Sequence, residues 1–134
     1  MASHVALALQ TKLFTLLNGD AALKNKVTGV FDNVPDTQKY PFVVIGDTVL
    51  EDFGTKNSDG FQGDVTVHVY SQAAGRREAL AIQGRVYELL HNVDLGLEGF
   101  STITCRCTLN EVLKDPDNRT HHGVQKYRLI LGGS

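Results

Sequence analysis

One group of side chains in this sequence has the residue types for hydrolytic or metal chemistry. It surrounds two adjacent histidines and consists of Asp115, Asp117, Arg119, His121 and His122. Imidazoles and carboxylates are common zinc ligands and common acid and base groups of hydrolases. Adjacent residues of a strand point to opposite faces, however, and the aspartates flank a proline as in a type I turn. A structural role is favoured, and a small metal-dependent hydrolase using His121, His122 and Asp117 remains an alternative.

The two cysteines, Cys105 and Cys107, are spaced to lie on the same face of a strand. Their Cα atoms would be roughly 6.5 Å apart, near the upper limit for a disulfide, so two buried thiols are expected. A metal site would need further ligands. The phosphate-binding glycine motifs and the GxSxG nucleophile motif are absent from the sequence. We therefore predict no catalytic, cofactor-binding or metal-binding residues, and an interaction protein rather than an enzyme.

Length and charge narrow the class of protein further. The chain has 134 residues, 42% of them hydrophobic, which predicts one domain over residues 1–134. Thirteen basic and fifteen acidic residues give a net charge of -2, without the basic run expected of a stable nucleic-acid binder. No apolar run of 18 residues and no signal-peptide pattern occur, so we expect a soluble protein that is made in a cytoplasm and does not contact membranes.

The elements that would position these side chains are clearest between residues 64 and 91. Val65, Val67 and Val69 alternate with polar residues, which predicts a strand with one apolar face. The following helix carries an apolar stripe that would cover this face. The stripe comprises Ala79, Ile82, Val86, Leu89 and Val93.

The rest of the chain predicts further helices and strands around this pair. A first helix, capped by Ser3, ends at Gly19, and Asp20 begins a short second one. Residues 30–35 are extended, and a strand from Phe42 forms a hairpin with the valine strand through a long loop at about 51–63. A second hairpin turns at residues 115–118. Its first strand is expected to face inward at Ile103, Cys105, Cys107 and Leu109, and its second at Tyr127, Leu129 and Leu131. The apolar parity of the first strand slips near Val112 and Leu113, which predicts a bulge or a twist there.

These elements predict an α+β domain of two layers, with helices on one face of a mainly antiparallel sheet of four or slightly more strands. The opposite face would then be polar. Thr66, Thr102, Thr104 and Thr108 are expected there beside a histidine, a tyrosine and three basic residues. Tyr70 and Tyr127 suit either an interface or packing within the sheet.

Two surfaces are therefore candidates for binding a partner, namely the hairpin loop and the polar sheet face. The loop supplies Asp52, Phe53, Lys56, Asp59 and Phe61, and the face supplies His68, Tyr70, Arg106, Lys126 and Arg128. Arg76, Arg119 and His121 complete the candidate interface residues. A long loop with few buried anchors is often functional.

The order of these segments resembles the tail terminator or tail-completion proteins of long-tailed phages and phage-like particles. The resemblance rests on VFDNVPDTQKYPFVVIGD, on GDVTVHVYSQAAGRREALAIQGRVYELL and on DPDNRTHHGVQKYRLIL. Ser71, Gly75, Tyr127 and Arg128 occupy the places of the family's Ser-containing turn, glycine and tyrosine-arginine strand.

Membership would imply a virion protein that forms a ring, with six subunits expected, on the head-proximal end of the tail tube. Such a ring ends tube polymerisation and binds the head-completion protein, while DNA passes through its lumen without specific binding. A closed ring needs two different patches on each subunit, which the loop and the polar face would supply. Assembly in the bacterial cytoplasm would follow. The alternatives are a head-side connector or stopper protein, the small hydrolase, and a cytosolic binding module.

Overall fold

A computed structural model describes residues 5–133 and contains three helices and five strands. The helices are α1 (Ala6–Asn18), α2 (Ala21–Lys24) and α3 (Arg77–Leu90). The strands are β1 (Val30–Phe31), β2 (Phe42–Asp52), β3 (Gly60–Ser71), β4 (Phe100–Lys114) and β5 (His121–Gly133). The predicted α+β architecture is confirmed, with a sheet one strand larger than four.

The sheet has the strand order β1-β2-β3-β5-β4. Its two hairpins, β2–β3 and β4–β5, join through antiparallel pairing of β3 with β5. Only β1 is parallel to its neighbour, and it pairs with Val43 and Val44 alone. Helix α3 connects β3 to β4 across β5, and all helices pack on the same face of the sheet. The other face of the sheet carries no helix of residues 5–133, and we call it the outer face.

The valine strand lies at the centre of the core, as predicted. Val65, Val67 and Val69 are fully buried and alternate with half-buried residues that point to the outer face. In β5, Tyr127, Leu129 and Leu131 are also fully buried, which confirms their predicted orientation. Tyr127 therefore packs in the core and is not available as an interface anchor.

The predicted inward face of β4 is correct only at the cysteines. Cys105 and Cys107 pair with Leu129 and Tyr127 and share the core face, whereas Ile103 is 63% exposed and Leu109 pairs with Lys126 on the outer face. The cause is a shift of register between Thr102 and Thr104 and another between Cys107 and Leu109. Each shift inserts one residue and reverses the inward parity. We predicted a single slip near Val112, and the structure places two earlier.

Helices α1 and α2 begin and end close to the expected positions. Gly19 follows α1, and Asp20 caps α2 by accepting a hydrogen bond from the Leu23 amide at 2.9 Å. The expected cap Ser3 lies outside the described residues. Asp20 also binds Arg85 of α3 through two hydrogen bonds of 2.8 and 2.7 Å. This bidentate pair fixes α2 against α3.

Helix α3 is amphipathic as predicted, although its buried stripe differs at its C-terminal end. Ala79, Ile82 and Val86 are fully buried. Leu90 continues this stripe in place of Leu89, because it lies four residues after Val86 and therefore on the same side of the helix. Val93 lies beyond the helix and is only partly buried.

A polar network inside the core was not predicted from the sequence. Gln125 of β5 is fully buried, and its amide nitrogen donates to the Gln83 carbonyl oxygen of α3 at 3.0 Å and to Asn110 Oδ1 at 2.7 Å. Its amide oxygen accepts from the Tyr127 hydroxyl at 3.1 Å. Gln83 in turn donates to the Glu111 carbonyl oxygen and accepts from the Asn110 amide. The network joins α3 to the last two strands.

Candidate assembly surfaces

The hairpin loop is shorter than the predicted segment 51–63. Glu51 pairs with Gln62 and Asp52 with Phe61, and the Phe53 amide donates to the Gly60 carbonyl oxygen at 2.9 Å. The loop is thus confined to residues 53–59, which we call the hairpin tip. Within it, Thr55 and Ser58 pair across a two-residue turn, with the Thr55 amide 2.7 Å from the Ser58 carbonyl oxygen. The predicted hairpin is present, and its loop is shorter than predicted because strand pairing continues almost to the turn.

Four of the five loop candidates are exposed on the hairpin tip or at its base. They are Asp52, Phe53, Lys56 and Asp59. The Asp59 carbonyl oxygen accepts from the Gly133 amide at 2.6 Å, so the base of the tip is tied to the end of β5. Phe61 differs because its ring packs against the core and lies 5.8 Å from the ring of Phe100. Phe61 therefore anchors the hairpin, while Phe53 presents an apolar surface that is 52% exposed.

The outer face of the sheet carries a row of aromatic rings and imidazoles near β1. The Phe42 ring centroid lies 5.3 Å from that of Tyr70, and the Tyr70 ring stacks on His122 at 4.4 Å. His122 Nε2 lies 2.7 Å from His68 Nδ1, so one imidazole donates a hydrogen bond to the other. Tyr40 extends the row at 5.0 Å from Phe42. His68 and Tyr70 thus lie together on this face, where sequence placed them.

Burial perturbs the titratable groups of this row. The pKa of His68 is lowered, first by burial and then by the positive charge on His122, while Asp47 opposes this shift. Burial also raises the pKa of Tyr70, and the charge of Asp115 adds to this effect. His122 Nδ1 lies 3.8 Å from Asp115 Oδ1. Burial thus favours the uncharged forms of His68 and Tyr70, which suits this part of the face to apolar contact.

A second part of the outer face is basic. Arg106 of β4 pairs with Arg128 of β5, and Lys126 lies two residues before Arg128 on the same strand. All three side chains are exposed. The guanidinium of Arg106 donates to Asn92 Oδ1 at 3.1 Å, and that of Arg128 to Gln62 Oε1 at 3.3 Å. Asp64 pairs with Arg128 and offsets part of its charge. The sequence reasoning correctly grouped these three basic residues with His68 and Tyr70.

The remaining three candidates lie apart from one another. Arg76 is exposed at the N-terminal end of α3, and Arg119 is exposed in the turn between β4 and β5. His121 is only 5% exposed and faces the core, and its Nδ1 atom has no hydrogen-bond partner among the described residues. His121 is thus not a surface residue of the subunit. His122, its neighbour, reaches the outer face instead.

Asp115 and Asp117, in the turn before His121, have structural roles in that turn. The Asn118 amide donates to the Asp115 carbonyl oxygen at 2.9 Å, which closes the predicted turn. Asp117 accepts from the amides of Arg119 and Thr120 and from the Thr120 hydroxyl, and these bonds lower its pKa to about 2. Among residues 5–133, no three His, Cys, Asp or Glu side chains lie close enough to hold a metal ion.

Cys105 is buried as expected, whereas Cys107 is only partly buried, so the expectation of two buried thiols is wrong for Cys107. Burial raises the pKa of Cys105 to about 11, and it raises the pKa of Cys107 as well. Both cysteines are free. Because the reactive species is the thiolate, neither thiol is activated at neutral pH.

Several exposed apolar residues were missed by the sequence reasoning. On β4 these are Ile103, Leu109 and Leu113, and on the helices they are Leu7, Phe14, Leu80 and Tyr87. Ile103 and Leu109 were predicted to face inward, and this is wrong because nothing in the local sequence marks the two register shifts. The helical residues do carry a signal, since they fall outside the stripes that pack on the sheet. No helix within residues 5–133 is long and apolar enough to cross a membrane.

Known proteins match this chain over nearly its whole length. The family model "Tail completion protein gp17" matches residues 11–132. The tail completion protein gp17 of Bacillus phage SPP1 is 33% identical over 127 residues, covering 95% of this chain and 94% of the relative.

Solved structures match the fold over nearly the whole chain. A chain from the virion of a native gene transfer agent particle has a TM-score of 0.87 at 24% identity and covers 98% of this chain and 100% of its own length. The structure of bacteriophage SPP1 gp17 has a TM-score of 0.67 at 34% identity, covering 93% and 89% respectively. Because the family match begins within α1 and runs through α2, α3 and all five strands to residue 132, the chain belongs to the gp17 family of tail-completion proteins.

Proposed function

We propose that this protein forms a ring on the head-proximal end of the phage tail tube. The ring ends tube polymerisation and joins the tail to the head-completion protein. Six subunits make up the ring, and DNA passes through its lumen without specific binding. The protein acts in the virion after assembly in the bacterial cytoplasm, and its action is steric rather than catalytic.

The observation that carries this proposal is the chain-wide match to SPP1 gp17, which is named a tail completion protein. The match covers 94% of the relative's length. The gene transfer agent chain adds support for the fold alone. The surfaces agree with a structural role, because their perturbed titratable groups are His68 and Tyr70 on the outer face of the sheet and Asp117 in a turn, an arrangement unlike a catalytic cleft.

We assign contact with the tube to the hairpin tip. The tip projects beyond the core, and its pairing at Phe53–Gly60 and Thr55–Ser58 holds it in one shape. A preformed loop loses less conformational entropy on binding than an open one. Phe53 supplies an apolar anchor, and Asp52, Lys56 and Asp59 surround it with charges of both signs.

We assign contact with the head-completion protein to the outer face. Its aromatic row and its basic residues Arg106, Lys126 and Arg128 form a surface with a largely uncharged part and a charged part. Interfaces commonly combine an aromatic centre with a polar rim. The net charge of -2 on each subunit agrees with a ring that does not hold DNA tightly.

The test replaces residues 54–59 by Asn-Gly, which closes a two-residue hairpin on the existing Phe53–Gly60 pair. Phage carrying this variant is expected to produce tubes of irregular length that join heads poorly, as seen by electron microscopy. The matched control places Asn-Gly at Asp36 and Thr37, which are exposed in the loop before β2. If the tip variant gives tails of normal length that join heads normally, the hairpin tip does not make the contact with the tube. Binding of the wild-type protein to tailless heads, and not to tubes, would instead make it a head-side neck protein.

A further inference from the structure

We infer that the hydrogen bond between His68 and His122 is a pH-sensitive contact that holds the outer face of the sheet together. The contact forms while the two imidazoles carry at most one positive charge between them, and a second charge breaks it. We call these two residues the histidine pair. The inference concerns the subunit itself and goes beyond the proposed ring, because it assigns to the fold a conformational response to acid.

The geometry of the histidine pair is that of a direct hydrogen bond. His68 Nδ1 and His122 Nε2 are 2.7 Å apart, and the two ring centroids are 4.9 Å apart. The second distance exceeds the first by nearly two ring radii, so the nitrogens point at each other along the line that joins the rings. A metal ion on this line would need to lie about 2 Å from each nitrogen, which requires a wider separation. One proton is therefore the group that joins the two rings.

The number of protons on the pair decides whether this contact can form. A neutral imidazole has one N–H group and one lone pair, so one ring donates and the other accepts. One added proton preserves this arrangement, because the ring that stays neutral still offers a lone pair. When both rings are charged, all their nitrogens are donors, and two N–H groups face each other across 2.7 Å. The second proton thus replaces a hydrogen bond by repulsion between like charges.

Carboxylates near both ends of the pair support the first charge. His122 Nδ1 lies 3.8 Å from Asp115 Oδ1, and this carboxylate favours the tautomer that has its proton on Nδ1 and leaves Nε2 to accept from His68. At the other end, the pKa of His68 is lowered by burial and by the charge of His122, and the charge of Asp47 opposes this only in part. A second charge on the pair is therefore disfavoured.

Other charged residues of the outer face are separated from the pair by neighbouring residues of the sheet. On β4, Glu111 pairs with Val124 of β5, which itself pairs with His68, so β5 lies between Glu111 and His68. On β5, Lys126 pairs with Thr66 and lies two residues beyond Val124. The helices pack on the opposite face of the sheet. The titration of the pair is therefore governed mainly by its own two rings and by the carboxylates near its ends.

The backbone of β2 holds one ring of the pair in place. A Cβ atom on residue 46 would lie 2.7 Å from both Nε2 and Cδ2 of His68, so the ring fills the space that Gly46 leaves free. The His122 side chain, in contrast, is 21% exposed and can turn towards solvent. When both rings are charged, His122 is therefore the ring that moves.

Movement of His122 would uncover the aromatic row beside it. Its ring stacks on Tyr70 at 4.4 Å, and Tyr70 packs on Phe42, which is only 6% exposed. The pKa of Tyr70 is raised, first by burial and then by the charges of Asp115 and Tyr40, so this ring stays neutral while the histidines titrate. Loss of the stack leaves one face of Tyr70 without cover. In acid the outer face should therefore expose apolar surface that it covers at neutral pH.

Nuclear magnetic resonance of the 15N-labelled wild-type subunit tests this inference without a substitution. At pH 8 we expect a 15N–15N coupling across the hydrogen bond between His68 Nδ1 and His122 Nε2. On acidification the two rings should bind protons in two steps that differ at least about tenfold in affinity, as strongly interacting sites do. Below the second step, the coupling should be lost together with the nuclear Overhauser effect between the rings of His122 and Tyr70.

One variant and one control separate the pair from its surroundings. His122→Phe keeps a ring that can stack on Tyr70 and removes both nitrogens. The remaining His68 should then titrate in a single step between the two wild-type steps, because it has lost both the acceptor and the repelling charge. The matched control Tyr70→Phe removes a hydroxyl on the same face and should keep the coupling and both steps.

Three outcomes would overturn the inference. They are the absence of the coupling at pH 8, independent titration of the two histidines in the wild type, and a coupling that persists after both rings are charged. If His122→Phe does not fold, the wild-type spectra still decide the question. Because these measurements use the free subunit, their failure leaves the proposed ring in place, and failure of the protein to bind tube ends leaves the histidine pair in place.

Discussion

Replacing the buried glutamine of β5 tests whether the internal polar network holds the last hairpin against α3. In Gln125→Leu the amide is lost and a hydrophobic side chain of similar volume takes its place. Three hydrogen bonds disappear, those to the Gln83 carbonyl oxygen, to Asn110 Oδ1 and from the Tyr127 hydroxyl. The surrounding groups were arranged for an amide and are left without these bonds.

The expected loss of stability follows from counting these bonds. Each intramolecular hydrogen bond contributes about 1 kcal/mol net, so the three together contribute about 3 kcal/mol. Burying apolar leucine atoms in place of the amide returns about 1 kcal/mol. The free energy of unfolding should therefore fall by about 2 kcal/mol, which lowers the melting temperature by roughly 8 °C for a chain of this size.

Urea unfolding followed by circular dichroism measures this change. Tyr127→Phe removes the hydroxyl that donates to Gln125 and also interacts with the Cys107 thiol, so it should cost at least about 1 kcal/mol. The double variant should cost about 1 kcal/mol less than the sum of the two, because both single variants lose the bond between Tyr127 and Gln125. The comparison variant Gln72→Leu removes a single side-chain hydrogen bond, from an exposed glutamine to the Thr120 hydroxyl at 3.1 Å, and should cost no more than about 1 kcal/mol. A Gln125→Leu protein as stable as wild type would refute the reasoning.

Three further predictions concern glycines and ionisable groups. Gly63→Ala should lower the melting temperature, because the added Cβ would overlap the Val49 carbonyl oxygen. Gly84→Ala should raise the free energy of unfolding by about 0.5–1 kcal/mol, because the added Cβ meets no atom within 4 Å. Equal effects of the two variants would contradict this prediction. The Arg85 guanidinium and the Leu23 amide lower the pKa of Asp20 to about 2, so the stability that this ion pair contributes above pH 4 is lost as pH falls towards 2. In acid titration the Asp20→Asn variant should lose less stability than wild type. Identical acid profiles of the variant and wild type would count against a stabilising pair. The pKa of His68 lies below its ordinary 6.5, mainly through burial and then through the charge of His122, with Asp47 opposing and Asp115 and Tyr70 nearby. The folded state therefore binds this proton less readily than the unfolded state, and stability should fall as pH drops below 6.5, an effect that His68→Asn should reduce in thermal melts at pH 7 and 5.5.

The fold was predictable where one periodic pattern extended over a whole element. The alternation of Val65, Val67 and Val69 and the stripe of α3 were sufficient to place a helix on one face of a sheet. Because these patterns depend on burial of a whole face, tertiary contacts reinforce them rather than override them. The resemblance to tail-completion proteins followed from the same segments, and the family match confirms it.

The parts that were not predictable depend on contacts between distant segments. The two register shifts in β4 reverse the faces of Ile103 and Leu109, and no local residue type marks them. His121 and His122 were correctly placed on opposite faces, but only the packing of β5 decides which of the two is buried. Glutamine is usually a surface residue, so the sequence gives no sign that Gln83 and Gln125 are buried. Their burial depends on hydrogen-bond partners more than 25 residues away in sequence.

Electron cryomicroscopy of purified tail tubes incubated with the wild-type protein tests the central claim most directly. The proposed function predicts six copies of the subunit closed into a ring at one end of each tube, and tubes that no longer elongate when tube protein is added. Hairpin tips directed at the tube would support the assigned contact. Tubes that continue to elongate, with no density at either end or with subunits along their length, would contradict the account.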